Sequence, residues 1–151
     1  MKNPVSCLIL FCCLWFVSSC SALYTTDEYL PLTVDYGPEE QVFLLDLENS
    51  IWLICASYWE GGEDMSEAVN DVQYEYINLG LSEDKHFVSS WFSVDVTHEP
   101  LKLMVKLEHN PDEMPRHLQL YVDMARKNIF GKQTTVHCQG YRILLNQSGK
   151  E

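Results

Sequence analysis

The chain has 151 residues, with 22 acidic side chains against 10 basic ones and a formal charge of −12 at neutral pH. Such a balance repels nucleic-acid phosphates and anionic lipid headgroups, which removes both as default partners. With 46% apolar residues the chain is no disordered acidic tail, and its length suits one domain.

At the N-terminus Lys2 precedes an unbroken apolar run of eleven residues, "CLILFCCLWFV" (7–17), which ends in the small-residue stretch "SSCSA". That is the three-part layout of a secretory signal peptide. The run is shorter than the roughly 20 residues that cross a bilayer, and no later stretch approaches that length, so no transmembrane segment is expected. Two processing routes compete. Cleavage after Ala22 places Ala22 and Cys20 at the small-residue positions, whereas "VSSC" (17–20) read as a lipobox would make Cys20 an acylated N-terminus. Three more cysteines in the run (Cys7, Cys12, Cys13) favour the first route, with residues 1–22 discarded and a secreted, extracellular mature chain from Leu23. That chain keeps Cys55 and Cys138, and an even count in an oxidising compartment predicts one disulfide.

Residues 23–40, "LYTTDEYLPLTVDYGPEE", are polar and turn-rich, and read as an extended arm with a short strand at Leu32–Val34. The runs "QVFLLDL" and "IWLICASYW" are rich in β-branched and aromatic residues and are separated by "ENS", which predicts a hairpin. The acidic stretch 59–71, with a glycine pair, reads as a loop that carries a helical turn at Asp64–Val69. In "DVQYEYINL", Val72, Tyr74 and Tyr76 alternate with Gln73 and Glu75, as in a strand with one wet side. "FVSSWFSVDV" and "PLKLMVKLE" alternate cleanly and are joined by "THEP", a second hairpin.

From His109 to Gly131, Leu118, Tyr121, Val122, Ala125 and Ile129 recur at spacings of three and four, which draws a helical stripe. Pro115 suits its first position and Gly131 the residue past its end, so a helix is expected over about 114–130. The last run, "QTTVHCQGYRILL", reads as a strand with a slip at Gly140, as a β-bulge produces. The expected fold is therefore α+β: one globular domain over 41–145, a twisted antiparallel sheet of five or six strands with the helix across one face before the last strand. Residues 146–151 are expected as a flexible tail, with "NQS" making Asn146 a glycosylation acceptor.

No catalytic residue, metal ligand or cofactor is assigned. The acidic loop lacks the alternate-acid and glycine pattern of a calcium-binding EF-hand. His109, Glu113 and His117 are spaced by four as zinc ligands can be, but Pro111 and Pro115 interrupt the helix that this would require. No G-x-S-x-G elbow occurs, and the expected bridge would occupy both mature thiols. The aromatic residues Trp52, Trp59, Tyr74, Tyr76 and Trp91 are the remaining signal, as core, ligand lining or partner surface, and Trp59 beside the acidic loop is the one expected to be exposed.

Two families bear on the fold. An immunoglobulin domain expects a tyrosine two residues before its second cysteine, where this chain has Val136, and short strands where a helix is expected here, and is set aside on those grounds. "LDLENSIWLICA", followed much later by helix, "FG", strand and Cys138, resembles the start and finish of a lipocalin over about 40 residues, with Ser50 where that family has glycine. The resemblance implies an eight-stranded barrel around a small apolar ligand, yet too few strands lie between the two ends for a barrel. The functional expectation is a secreted, non-enzymatic protein that binds an extracellular protein partner. A carrier of a small hydrophobic ligand, with a pocket near Trp52, Tyr74 and Trp91, is the alternative, and a hydrolase using paired carboxylates is third.

Overall fold

The computed structural model describes the backbone of residues 28–80, 84–127, 130 and 133–151. The expected signal peptide at 1–22, with Cys20, and the arm as far as residue 27 lie outside the described residues, as do the side chains of 28, 126–129 and 131–139. Within them the chain forms β1 (Glu28–Tyr36), β2 (Gln41–Asp46), β3 (Ile51–Glu60), β4 (Gln73–Asn78), β5 (Lys85–Val88), β6 (Phe92–His98), β7 (Leu101–Leu107), β8 (Arg116–Lys127) and β9 (Gln133–Gln147), with one 3₁₀ turn at Met65–Glu67.

The strands make two sheets, β1-β9-β8-β3-β4 and β2-β7-β6-β5, and every pairing is antiparallel except β1 with β9. The protein is thus an all-β sandwich, and the expected α+β fold is overturned. The order β9-β8-β3-β4 over β2-β7-β6 is the G-F-C-C′ over B-E-D order of an immunoglobulin-type sandwich. The signature that set that arrangement aside is absent from a topology that does not depend on it: β2 and β8 carry no cysteine and meet in apolar core.

The expected helix is strand β8. Leu118, Leu120 and Val122 alternate and are all fully buried, while Gln119 and Tyr121 between them are half-buried. The helical stripe mixed two faces, since Leu118 and Val122 point into the core and Tyr121 points away. Past them the ladder with β9 shifts register between Asp123 and Ala125, so a spacing of three follows one of two. Gly140 stands opposite Asp123 at this irregularity with φ +150, and an added Cβ would lie 1.8 Å from the Val122 carbonyl oxygen. The slip expected at Gly140 is therefore present.

The hairpin expected from β2 and β3 is not formed. Leu47–Ser50 carries the chain from one sheet to the other, and β2 pairs with β7 while β3 lies between β4 and β8. "FVSSWFSVDV" is two strands, β5 and β6, folded on each other, and the hairpin of β6 with β7 forms as expected. Between the sheets, Leu103, Val105 and Leu107 of β7 share one core with Leu118, Leu120 and Val122 of β8, all six fully buried. Each such side chain is worth about 1.5–3 kcal/mol relative to exposure. Tyr58, Trp91 and Phe92 extend that core with edge-to-face aromatic contacts.

At one end of the sandwich two buried amides replace apolar packing. Gln147 Nε2 donates to the carbonyls of Pro38, Glu39 and Glu108, and Asn110 Nδ2 to those of Met114 and Ser148. The segment expected as a flexible tail is held here: Asn146 and Gln147 belong to β9, Ser148 N–H donates to Tyr36 O and Lys150 N–H to Asp112 O. Among the described residues no helix is long and apolar enough to cross a membrane.

Candidate functional site: the open face of the five-stranded sheet

Because side chains alternate along a strand, the residues that do not enter the core form a second face on the five-stranded sheet. The register lays them out in rows. One runs Trp59, His117, Asn146, Asp35 across β3, β8, β9 and β1. The next begins on β4 and runs Tyr74, Ser57, Gln119, Leu144, Thr33. The third runs Tyr76, Cys55, Tyr121, Arg142, Pro31.

Tyr74 and Tyr76 are 61% and 75% exposed on the edge strand, so β4 turns its tyrosines to solvent and anchors itself by the buried Ile77 and Leu79. The opposite sheet presents a different surface. Its outward residues include Leu44 and Val42 but are interleaved with charge pairs: Lys102 with Asp46 at 3.4 Å, Lys106 with Glu40 at 3.0 Å, and His86 with Asp95. That is an ordinary solvated face, since such exposed pairs contribute about 0–1 kcal/mol each.

Cys55 lies in the tyrosine row as a free thiol, and the side chain of Cys138, its expected bridge partner, lies outside the described residues. Strand β8 stands between the strands that carry the two cysteines. Burial, and then the negative charge of Asp123, push the Cys55 thiol up from its ordinary range. Asp123 itself is buried and accepts a hydrogen bond from the Tyr29 hydroxyl, and Tyr29 meets Tyr121 edge to face at 5.1 Å.

At the other end of the face the acidic loop folds back over the first row. Gly61 bridges to Ala68, its N–H donates to Pro115 O at 3.0 Å, and Val69 N–H donates to Glu60 O. The backbone at Gly61 has φ +99, where a side chain would collide with Val69. Trp59 is consequently 4% exposed, with its Nε1–H donating to Gly62 O at 3.1 Å and its ring stacked on His117 at 5.1 Å. Beside it an open groove of about 820 Å³ is bounded by Thr33, Asp35, Gly61, Gly62, Glu63, Pro115, His117, Leu144 and Asn146.

The aromatic residues singled out in the sequence divide three ways. Tyr74 and Tyr76 are on the open face; Trp91 is core and Trp52 is half-buried where β3 bulges; Trp59, expected to be exposed, is buried beneath the turn that follows it. Trp52, Tyr74 and Trp91 therefore do not converge on a pocket. His109 is on the surface, 3.8 Å from Glu39, and His117 is buried on β8, so the pair spaced as zinc ligands is not brought together. Among the described residues no group of three or more His, Cys, Asp or Glu is placed to hold a metal ion. Asn146 Nδ2 donates to Asp35 at 2.7 Å, and a sugar attached there would leave one amide hydrogen for that bond. The residues that the sequence did not single out are Tyr121, Arg142, Asp35 and the partners of His117. Their outward alternation was masked by the helix reading of 114–130, by the bulge in β9 and, for Asp35, by the reading of residues 23–40 as an extended arm.

Fold and face together define a two-sheet β-sandwich with one open, tyrosine-bearing sheet surface. No protein-family model matches this chain, and no curated protein gives a significant match to its sequence.

Proposed function

We propose that the protein is a secreted, non-enzymatic binding module that engages an extracellular protein partner through the open face of the five-stranded sheet. One observation carries this reading: two highly exposed tyrosines, Tyr74 and Tyr76, share a continuous surface with Tyr121 and Arg142 on a rigid sheet. Tyrosine and arginine are enriched at protein interfaces, where they supply large contact area and dominate the binding energy. The exposed Glu63, Asp64, Glu67 and Asp71 lie beside this face and favour a partner with a basic rim, through faster encounter more than through affinity. Secretion and modification of Asn146 belong to the same proposal. The carrier reading draws less support from the geometry, because the groove by Asp35 is open to solvent and has Asp35, Glu63, His117 and Asn146 in its walls.

The test compares the proteins retained from the surrounding secretion by the immobilised mature chain with those retained by a Tyr74→Arg/Tyr76→Arg double variant. Both positions are exposed, so the variant folds. A partner held by the parent and lost from the variant supports the reading, and an identical retained set refutes it.

A further inference from the structure

His117 is 5% exposed, and each of its ring nitrogens faces an oxygen: Nδ1 is 2.8 Å from Asn146 Oδ1, and Nε2 is 3.0 Å from the carbonyl of Gly61. A backbone carbonyl can only accept. The Asn146 amide is oriented by its far end, where Nδ2 donates to the Asp35 carboxylate, so its oxygen is the atom left for His117. Rotating the amide to offer His117 an N–H would press Oδ1 against that carboxylate. Both ring nitrogens must therefore donate, which only the imidazolium can do, since a neutral imidazole carries one N–H.

From this geometry we propose that His117 is a proton-controlled latch that holds the Gly61–Gly62 turn down over Trp59. The inference rests on the open sheet face being the docking surface, whose accessible aromatic area the latch sets. In the closed state one donor of His117 grips β9 through Asn146 and the other grips the turn. On losing its proton the ring keeps one of the two. Asn146 is fixed on β9 between β1 and β8, so the bond to the Gly61 carbonyl is the one released, which leaves the turn on the Gly61 N–H bond to Pro115 O and the Gly61–Ala68 bridge. The weakened turn then opens more readily and uncovers Trp59, two residues along β3 from Ser57, the cross-strand neighbour of Tyr74, which adds a tryptophan to the tyrosine surface.

Two carboxylates stand near the ring: Asp35 from β1 reaches it through Asn146, and Glu63 of the acidic loop lines the same groove. Glu60 of β3 and Arg116, the residue before the histidine on β8, are paired with each other at 3.5 Å. The closed state binds one proton more than the open state. Acid closes the turn, and a rise in pH through the titration of the ring opens it.

The experiment uses the free mature chain and nuclear magnetic resonance across about pH 5 to 8, where histidines change charge. It reads the ¹⁵N shifts of the His117 ring, amide exchange at Gly61 corrected for intrinsic pH dependence, and the Trp59 Nε1–H signal. The expected result is a ring protonated on both nitrogens while the turn is closed. Protection at Gly61 then falls about ten-fold or more as the ring titrates, the loss of a charge-assisted hydrogen bond, and Trp59 Nε1–H loses its protection in step. His117→Gln removes the pH dependence; should that variant not fold, the comparison of ring and turn in the parent decides alone. Protection that stays constant through the titration, or a closed turn over a neutral ring, overturns the latch. Neither result involves a partner, so the latch can fail while Tyr74→Arg/Tyr76→Arg still abolishes binding, and the docking face can fail while the latch operates.

Discussion

Replacing Gly140 by alanine tests the β8–β9 ladder at its most demanding point. The residue has φ +150, and the new Cβ would sit 1.8 Å from the Val122 carbonyl oxygen and 3.0 Å from its carbon. Both atoms are backbone of a strand held on its other side by β3, so no side chain can swing away to relieve the collision. The unfavourable backbone conformation costs about 1–3 kcal/mol, and forcing two packed strands apart adds about 1–3 kcal/mol more. A loss of about 2–6 kcal/mol, out of a total stability of roughly 5–15 kcal/mol, corresponds to a fall in melting temperature on the order of 10 °C. Differential scanning calorimetry of the purified mature chain measures it, with Gly37→Ala as control, since a Cβ at Gly37 meets nothing within 4 Å. If Gly140→Ala melted within about 2 °C of the parent, the pairing of Asp123 with Gly140 described here would be wrong.

Two further perturbations separate strand from helix and test the state of the thiol. Leu120→Ala should cost about 2–5 kcal/mol and Gln119→Ala no more than about 0.5 kcal/mol, because only Leu120 is fully buried, and chemical denaturation showing equal losses would contradict the alternation. Without reductant the unfolded mature chain should alkylate at Cys55, and a peptide containing Cys55 linked to Cys138 would contradict the sheet order. In the folded protein burial and the Asp123 charge hold Cys55 protonated to higher pH, so iodoacetamide should react with it more slowly than with free cysteine at neutral pH. Asp123→Asn should speed the reaction, and an unchanged rate in that variant would remove Asp123 as a cause.

Much of the strand pattern was legible in the sequence, because strict alternation leaves little choice. Leu101 to Leu107 with its lysines is strand β7, and the slip at Gly140 is where the ladder shifts. What misled was a stripe with two readings. Leu118, Tyr121, Val122 and Ala125 satisfy helical spacing, but the same stretch also alternates at Leu118, Leu120 and Val122. The presence of β3 and β9 on either side decided between them, and local sequence does not display those neighbours. The sheet crossing after β2 was hidden for a related reason, since a short linker between two strands serves a hairpin and a passage between sheets alike.

The site was legible in part for the same reasons. Tyr74 and Tyr76 were correctly placed on one face of a strand, but whether that face met core or solvent depended on Ile77 and Leu79 anchoring the other. Trp59 was expected to be exposed because an acidic loop follows it. The loop instead turns back at Gly61 and covers it, a consequence of contacts to Pro115 and His117 more than fifty residues away in the chain. The pair of cysteines invited a bridge, and the sequence does not display that β8 stands between the strands that carry them.

The open face is tested most directly by placing a photo-crosslinking phenylalanine analogue at Tyr76, and separately at Leu44 on the opposite sheet, and exposing each folded protein to the extracellular fluid of the cells that express it. Both positions are exposed, 75% and 63%, so neither substitution disturbs the core. The account predicts a discrete crosslinked protein from position 76 and none from position 44. Crosslinking from position 44 alone, or of the same protein from both, would contradict it.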